Sequence, residues 1–342
     1  MEKVYGMVTI YDLADATGFS PATVSKALNS YPGVNYKTVD KILATAKEMG
    51  YMPNIMARSL TTKKSWLVGM LFSEELSSCL RHPHFGEIFS SAQVQLCKAG
   101  YDVVIINNSL DGDKISYLEH CHYRGVEGVL MAASSEYIHT VQCIIESDLK
   151  MVSVEMEYPE RYSVLSENYN GAMLAMEYLY SLGHRKIAFI AGPLHKMSAP
   201  ERYQGYRDFL SSRGLPFDPL LVVESKAYSA PEGFAAAERL LNNARGMFTA
   251  IFADYDDVAC GVLNCLRANG LDVPGDVSVI GFDDLLHAEI AGLTTIRQDR
   301  DKIGCLAAEI LIAQMQGLPL KHGHGVRVPT SLVVRSSCRE IG

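Results

Sequence analysis

Residues 20–29 combine side chains that can bind DNA. Thr23, Ser25 and Asn29 carry hydroxyl and amide groups suited to phosphate oxygens, and such contacts position a protein on a duplex without selecting its sequence. Lys26 can donate to guanine O6 and N7, whereas Ala22 offers only a methyl group, as in contacts with thymine. The segment is therefore a candidate for reading a major groove.

Three short helices are predicted around this segment. Thr9 can cap a first helix, which Gly18 ends, and Ser20 can cap a second helix over about 21–29. A third helix is predicted over about 36–49, closed by a glycine. The predicted packing residues are Ile10, Leu13 and Ala14, then Val24 and Leu28, then Val39, Ile42, Leu43 and Ala46. Two short helices joined by a tight glycine-containing turn have helix-turn-helix geometry.

From residue 66 onward, short apolar runs alternate with longer helical patterns. Strands are predicted at 67–72, 102–106, 128–131, 151–154, 186–190, 220–224, 250–252 and 277–281. Helices are predicted at 85–99, 114–123, 137–146, 172–182, 202–212, 231–242, 257–269 and 300–316. This alternation predicts parallel sheets with helices on both faces. Because the series restarts near residue 172, we expect two similar lobes with a ligand cleft at the carboxyl ends of the strands.

Composition and charge favour a globular protein whose N-terminal part contacts nucleic acid. The 342 residues are 48% hydrophobic and 20% charged. Residues 1–64 carry a net charge of +3, and the remainder carries −11. The sequence has no apolar run of membrane-spanning length, no basic leader, and no Cys-x-x-Cys or Cys/His ligand spacing among its eight cysteines. We expect a cytoplasmic protein with no metal site and no cofactor.

These features resemble the LacI/GalR family of bacterial transcription repressors. The most specific marks are Thr-Val-Ser at 23–25 and Ala-Arg-Ser-Leu at 57–60. Segments 182–188, 276–284 and 293–298 match the family's effector domain, and the resemblance is continuous from 9 to about 337. It implies an α/β fold with a helix-turn-helix head at 7–53, a hinge helix and linker at 54–64, and a bilobed periplasmic-binding-protein-like body of two doubly wound parallel-sheet subdomains at 65–342. The lobes would comprise about 65–165 plus 295–325, and 166–294 plus 326–342.

The resemblance also implies which residues bind DNA. In the family the second helix reads base edges, and Ala22 and Lys26 match its readers. A hinge leucine of the family wedges a minor-groove step open, and Leu60 matches it. The implied DNA-binding residues are Thr9, Ser20, Ala22, Thr23, Ser25, Lys26, Asn29, Asn54, Ala57, Arg58 and Leu60.

A second implied site is the effector cleft. Arg202 matches an arginine that clamps the effector in many members, where its forked donors suit a carboxylate, a phosphate or vicinal hydroxyls. The alternative for Arg202 is a surface salt bridge. Asp283 matches an acceptor of ligand hydroxyls and Tyr228 a stacking aromatic, while Asp284 would only cap the next turn. The implied effector-binding residues are His84, Phe85, Asn107, Ser134, Arg202, Tyr228, Tyr255, Asp283 and Arg300.

The sequence departs from the family where many members have Asn-Asp after the strand at 250–252. Tyr255-Asp256 stands there, so that a phenol replaces the amide that usually grips a sugar, and Asp256 is expected to cap the following helix. Arg300 matches a lid position and could form an anion pocket with Arg202 for a phosphorylated or acidic sugar. Alternatively, Arg300 would pair with its neighbours Asp299 or Asp301.

The function implied by the resemblance is a homodimeric repressor. It would bind palindromic double-stranded operator DNA under the control of a sugar, sugar phosphate or related metabolite. A solute-binding transport protein would share the bilobed body, but segment 9–60 argues against it. An enzyme is the third possibility, because Asp254, Asp256 and Asp257 form an acidic cluster, although three acids at a helix start also complement its dipole.

Overall fold

The computed structural model describes residues 8–29, 31–52, 64–72, 82–110, 112–132, 138–195 and 198–342. The chain divides into two compact units, Met1–Ser65 and Trp66–Gly342, here named the head and the body. Five residues with predicted binding roles lie outside the described residues. They are Asn54, Ala57, Arg58 and Leu60 of the predicted hinge, and Ser134 of the body. No described helix is long and apolar enough to cross a membrane.

The head contains the three predicted helices, which are α1 (Ile10–Thr17), α2 (Pro21–Leu28) and α3 (Tyr36–Met49). Thr9 and Asp12 form a reciprocal capping box at the start of α1, and the Ser20 hydroxyl accepts from the Thr23 amide at the start of α2. Gly18 and Gly50 end α1 and α3 in the left-handed conformation, as predicted.

The core of the head is formed by one face of each helix. Leu13, Val24 and Ile42 are fully buried, together with Ala27, which the sequence did not single out. The prediction for Leu43 was wrong, because its side chain is 47% exposed. On α3 the inward stripe passes through 42 and 46, four residues apart, and Leu43 is turned about 100° away from it.

The first lobe of the body is built on a fully parallel sheet with the strand order β13-β7-β6-β5-β1-β2. Its strands are β1 (Leu67–Phe72), β2 (Asp102–Ile106), β5 (Gly128–Ala132), β6 (Lys150–Val154), β7 (Tyr162–Ser166) and β13 (Gly325–Val328). A small antiparallel hairpin is formed by β3 (Ser109–Leu110) and β4 (Asp113–Lys114). The helices are α4 (Pro83–Lys98), α5 (Tyr117–Arg124), α6 (Ile138–Ile145) and α12 (Arg300–Gln316).

The second lobe repeats this plan with the order β14-β12-β11-β10-β8-β9, in which only β14 is antiparallel. Its strands are β8 (Ile187–Ala191), β9 (Val222–Glu224), β10 (Ala250–Ala253), β11 (Ser278–Asp283), β12 (Thr294–Arg297) and β14 (Ser331–Val333). The helices are α7 (Asn168–Ser181), α8 (Ser198–Ser212), α9 (Ala230–Ala244), α10 (Asp256–Ala268) and α11 (Leu286–Ile290).

The chain crosses between the lobes at three places, which follow β7, β12 and β13. Two lobe boundaries therefore differ slightly from expectation. Strand β12 lies in the second lobe, although 295–325 was expected in the first, and β13 lies in the first lobe, although 326–342 was expected in the second. Each strand pairs with a neighbour of its own sheet, and this pairing is not visible in local sequence.

Several short elements were not predicted, namely β7, the β3–β4 hairpin, α11 and β12 to β14. Several predicted starts were also wrong. Helices α7 and α8 begin at Asn168 and Ser198, four residues before the predicted positions. Helix α5 begins at Tyr117, because Ser116 and Glu119 form a capping box and residue 114 belongs to the hairpin. Strand β9 begins at Val222, because Asp218 caps a short 3-10 turn over Pro219–Leu221.

Glycines allow close packing of the helices that cover each sheet. A Cβ on Gly304 of α12 would lie 2.2 Å from the Ile88 carbonyl oxygen of α4. In the second lobe, a Cβ on Gly233 of α9 would lie 2.2 Å from the Val258 carbonyl oxygen of α10. Because backbone cannot yield as a flexible side chain does, these positions require glycine.

The Gly304→Ala variant should be less stable than the parent by about 1–3 kcal/mol, because the added methyl forces α12 away from α4. Urea unfolding followed by circular dichroism measures this loss. Gly323→Ala is the control, since nothing lies within 4 Å of that Cβ position. Equal stability of the two variants would contradict the close-packing argument.

Candidate functional site

The carboxyl ends of β10 and β11 bring a buried arginine together with two buried aspartates. Arg202, from α8, donates from Nε to Asn168 Oδ1 over 2.9 Å and from Nη1 to the Asp254 carbonyl oxygen. Its Nη2 lies 3.4 Å from Asp283 Oδ1, and its Cζ lies 3.7 Å from the centroid of the Phe282 ring. Only 3% of Arg202 is exposed, which excludes the surface salt bridge.

The two aspartates retain carboxylate oxygens without a well-formed hydrogen bond, although the Gly192 amide acts on Asp254. Gln298 donates to Asp283 Oδ1, but Asp283 Oδ2 and both carboxylate oxygens of Asp254 accept no hydrogen bond of ordinary geometry from the described residues. Burial raises the pKa of Asp283 to about 7 and that of Asp254 to about 6, although the Arg202 charge opposes both shifts. Asp283 has a φ of 112°, a strained value that aims this side chain at the site.

Tyr228 and Tyr255 form an aromatic wall beside these carboxylates. Their ring centroids are 5.0 Å apart with an interplanar angle of 50°. Gly192 makes room for the Tyr228 ring, because a Cβ there would lie 2.1 Å from a ring carbon. Burial raises the pKa of each phenol. The charges of Asp254 and Asp283 raise the pKa of Tyr228 further, and those of Asp283, Asp257 and Asp256 raise the pKa of Tyr255, so both phenols stay neutral.

The first lobe contributes His84 and Glu155. His84, near the start of α4, is buried, and its Nε2 lies 3.8 Å from Glu155 Oε1. Glu155 follows β6 and also accepts from the Ser166 hydroxyl over 2.9 Å. Burial alone would raise the pKa of Glu155, but the His84 and Ser166 hydrogen bonds and the Arg202 charge lower it overall. The His84 charge in turn acts on Asp283, so the two lobes are electrostatically coupled.

Two other predicted effector residues make contacts within the first lobe. Phe85 packs against Phe72 and His84, with ring centroids 5.0 and 5.1 Å away. Asn107 accepts from the Ser109 amide over 3.1 Å, and its own amide donates to the buried His120. The roles of both residues in effector binding stay predictions.

Arg300 joins the lobes rather than pairing with a neighbour in sequence. Its Nε lies 2.5 Å from Glu87 Oε2, and its other nitrogens donate to the carbonyl oxygens of Asp283 and Asp284. The alternative pairing with Asp299 or Asp301 is therefore not observed. Asp299 caps α12 and Asp301 accepts from Ser91, so neither carboxylate is directed at Arg300.

The acidic cluster at 254–257 divides into separate roles. Asp256 was expected to cap α10, but it does not. It accepts instead from the Leu285 amide over 2.9 Å and from the Thr295 hydroxyl over 2.7 Å. Asp257 pairs instead with His287, with the two atoms 3.3 Å apart. Asp256 thus fixes the loop that follows Asp283.

Asp284 also differs from its expected capping role. Its carboxylate accepts from Arg297 and Arg335, each over 2.6 Å. These hydrogen bonds and charges lower the pKa of Asp284, although its burial acts in the opposite direction. The pair of adjacent aspartates thus splits into one residue directed at the site and one that ties β11 to β12 and the C-terminal segment.

Glu155, Asn168, Asp254 and Gln298 were missed by sequence reasoning. A usable signal existed for Glu155 and Asp254, because each is the first acidic residue after a predicted buried strand. Asp254 was instead assigned to the helix dipole. Asn168 and Gln298 stand at crossings between the lobes, and these crossings had no sequence signature.

In the head, α2 exposes Ala22 and Lys26, the two expected base readers. The other polar residues of α2 are half-buried and partly used within the helix. Asn29 donates to the Ser25 carbonyl over 2.9 Å, and the hydroxyls of Ser20 and Thr23 lie 2.9 Å apart. Their roles in contacting phosphates, like that of Thr9, stay predictions.

Asp256→Asn should flatten the pH dependence of the body's stability. Burial raises the pKa of Asp256 to about 7 from 3.8. Its stabilising contribution is therefore complete below about pH 4 and is lost as the pH rises through about 7, since the unfolded chain releases this proton earlier. An asparagine can keep both contacts, because its carbonyl can accept from Leu285 and its amide can donate to Thr295.

The measurement is urea unfolding between about pH 4 and 8. Asp113→Asn, at an exposed hairpin position, is the control. An unchanged pH slope in Asp256→Asn would contradict the assignment.

Two family models match the chain. Residues 9–54 match "Bacterial regulatory proteins, lacI family", and residues 176–338 match "Periplasmic binding protein-like domain". The chain is 35% identical to the HTH-type transcriptional regulator RegA of Clostridium saccharobutylicum, over 89% of this chain and 91% of RegA. It is 29% identical to the HTH-type transcriptional repressor PurR of Haemophilus influenzae, over 98% of this chain and all of PurR.

Solved structures of transcriptional regulators are also similar to this chain. The crystal structure of the lac repressor dimer bound to operator and the anti-inducer ONPF is similar with a TM-score of 0.78 and 27% identity, over 98% of this chain and all of that one. A complex of the transcriptional regulator CelR with cellobiose is similar with a TM-score of 0.69 and 28% identity, over 96% and 99%. With its helix-turn-helix head and its two parallel-sheet lobes, this chain belongs to the LacI family of bacterial regulatory proteins and is a DNA-binding transcriptional regulator.

Proposed function

We propose that this protein is a cytoplasmic repressor that binds a palindromic operator as a homodimer and is controlled by a sugar or sugar derivative in the cleft between its lobes. The observation that carries the effector site is the buried group of Arg202, Asp254 and Asp283, which is coupled to His84 and Glu155 across the lobes. The lac repressor and CelR structures support the dimer, the operator and the sugar class. The helix-turn-helix match disfavours a solute-binding protein, and we assign the chain no catalytic reaction.

Effector control follows from the position of the ligand groups. A ligand that contacts Glu155 in one lobe and Arg202 in the other stabilises one lobe arrangement over another. Its binding free energy thereby shifts the equilibrium between DNA-binding and released states, and DNA must shift effector affinity by the same factor. Two of the three crossings lie beside Asn168 and Gln298, which supports a site close to the axis about which the lobes would rotate.

For DNA, we propose that Lys26 and Ala22 read bases and that Thr9, Ser20, Thr23, Ser25 and Asn29 approach phosphates. The hinge residues Asn54, Ala57, Arg58 and Leu60 would contact the minor groove, with Leu60 as the wedge.

Selection of binding sites from a random DNA pool with the full chain should enrich palindromic sequences. Lys26→Ala should weaken binding to the selected site by about 10–100-fold and relax one base position, because a base contact is worth about 1–3 kcal/mol. Fluorescence anisotropy at fixed salt measures this change. Lys47→Ala, an exposed lysine at the end of α3, is the control. Enrichment of no symmetric site would contradict the proposed function.

A thermal-shift screen of the full chain against neutral, acidic, amino and phosphorylated sugars should find a stabilising ligand, since binding to the folded state raises Tm. Arg202→Ala should abolish this shift, whereas Arg213→Ala, which removes a surface arginine paired with Glu177, should keep it. A normal shift in Arg202→Ala would remove Arg202 from the site.

A further inference from the structure

We propose that Asp254 is a ligand-binding residue and that the effector carries a positively charged amine, which lies against Asp254 and Asp283. This inference rests on the proposed function, because it assigns chemistry to the ligand of the same cleft.

The first observation is an unmet need for hydrogen-bond donors. Asp254 is fully buried, and the Gly192 amide acts on its carboxylate, but neither carboxylate oxygen accepts a hydrogen bond of ordinary geometry from the described residues. Asp283 is also fully buried and leaves Oδ2 in the same condition. Since buried polar atoms are almost always partnered and an unpartnered carboxylate is costly, these three oxygens mark a place for donors that the ligand brings.

The second observation is that, apart from the Tyr228 hydroxyl and the Gly192 amide, the neighbouring donors are already committed. The nitrogens of Arg202 donate to the Asn168 side chain, to the Asp254 carbonyl oxygen and to Asp283 Oδ1. Gln298 donates to the same Oδ1. Arg300 is engaged by Glu87 and by two backbone carbonyls. None of these groups can turn to Asp254 without leaving another buried acceptor unpaired.

The third observation is the charge of the cleft. Glu155, Asp254 and Asp283 face a single committed guanidinium, that of Arg202, with His84 as the other basic group. The Arg300 charge is balanced by Glu87. At the low effective dielectric of a buried site this negative excess attracts a cation and repels a phosphate or carboxylate. The anion pocket expected from Arg202 and Arg300 is therefore disfavoured.

An amine fits better than hydroxyls alone. A hydroxyl can donate to Asp254 but leaves its charge uncompensated, whereas an ammonium group supplies both donors and charge. The aromatic wall of Tyr228 and Tyr255 suits the apolar face of a ring that carries the amine.

The test compares matched probes by calorimetry on the full chain. The pairs are glucosamine with glucose, galactosamine with galactose, and putrescine with 1,4-butanediol, and glucuronate and glucose 6-phosphate serve as anions. At least one amine should bind about tenfold or more tighter than its neutral partner, as expected for a charge-assisted hydrogen bond. Asp254→Asn should remove this preference, while Asp257→Asn, at a half-buried carboxylate paired with His287, should keep it.

A pH series provides a second readout. The groups that act on the two carboxylates are Arg202, Tyr228, His84, Asp256 and Arg300. Because Asp254 and Asp283 are partly protonated near neutral pH, amine binding should release protons and tighten as the pH rises from about 5 to 7.5.

Equal or tighter binding of the neutral partners, preferred binding of the anions, or no binding of any amine would overturn the proposal. Operator selection tests the proposed function separately. A chain that selects an operator yet prefers neutral sugars is a repressor without this specificity.

Discussion

The buried guanidinium of Arg202 organises the second lobe around the carboxyl ends of β10 and β11. It connects α8 with Asn168 at the first lobe crossing, with the end of β10 and with the end of β11. A buried ion pair gains little net stability by itself, because both charges lose their hydration. Here the charge is shared among a carboxylate, an amide oxygen, a carbonyl and an aromatic face, so the arginine is fixed and the loops it contacts are fixed with it.

Polar contacts, rather than a shared apolar core, join the lobes. Each hydrophobic cluster among the described residues of the body lies within a single lobe. The lobes meet through Arg300 and through Arg327 of β13, whose Nη1 lies 2.7 Å from Glu201 Oε2 of α8. A half-exposed pair of this kind contributes modestly. Lobe rotation therefore breaks few apolar contacts, which suits a body whose two states differ by an amount that a small ligand can supply.

In the proposed function, the acceptor-rich group of Asp254 and Asp283 binds the effector and the exposed face of α2 binds DNA. Three buried carboxylate oxygens lack partners among the described residues, and their desolvation costs free energy. A ligand that donates to them removes this cost, and its binding free energy then favours one conformation of the lobes over another. The head has no comparable group of buried, unpaired carboxylates among its described residues. Its helix α2 exposes Lys26 and Ala22 above a small core of fully buried residues.

The sequence by itself determined the local structure and the class of protein. Capping residues, helix-ending glycines and apolar periodicity are local signals, so the head helices and most of the buried strands, such as Leu67–Phe72 and Asp102–Ile106, could be predicted closely. The family motifs carried Arg202 and Asp283. Only tertiary structure decided what these residues face. Pairing between distant strands places β12 and β13 in their lobes. The Asp256 carboxylate accepts from Leu285 and Thr295 rather than from its own helix, and Arg300 pairs with Glu87. Hydrogen-bond partners 29 to 213 residues apart in sequence leave no local pattern, because burial and charge compensation are properties of the assembled fold.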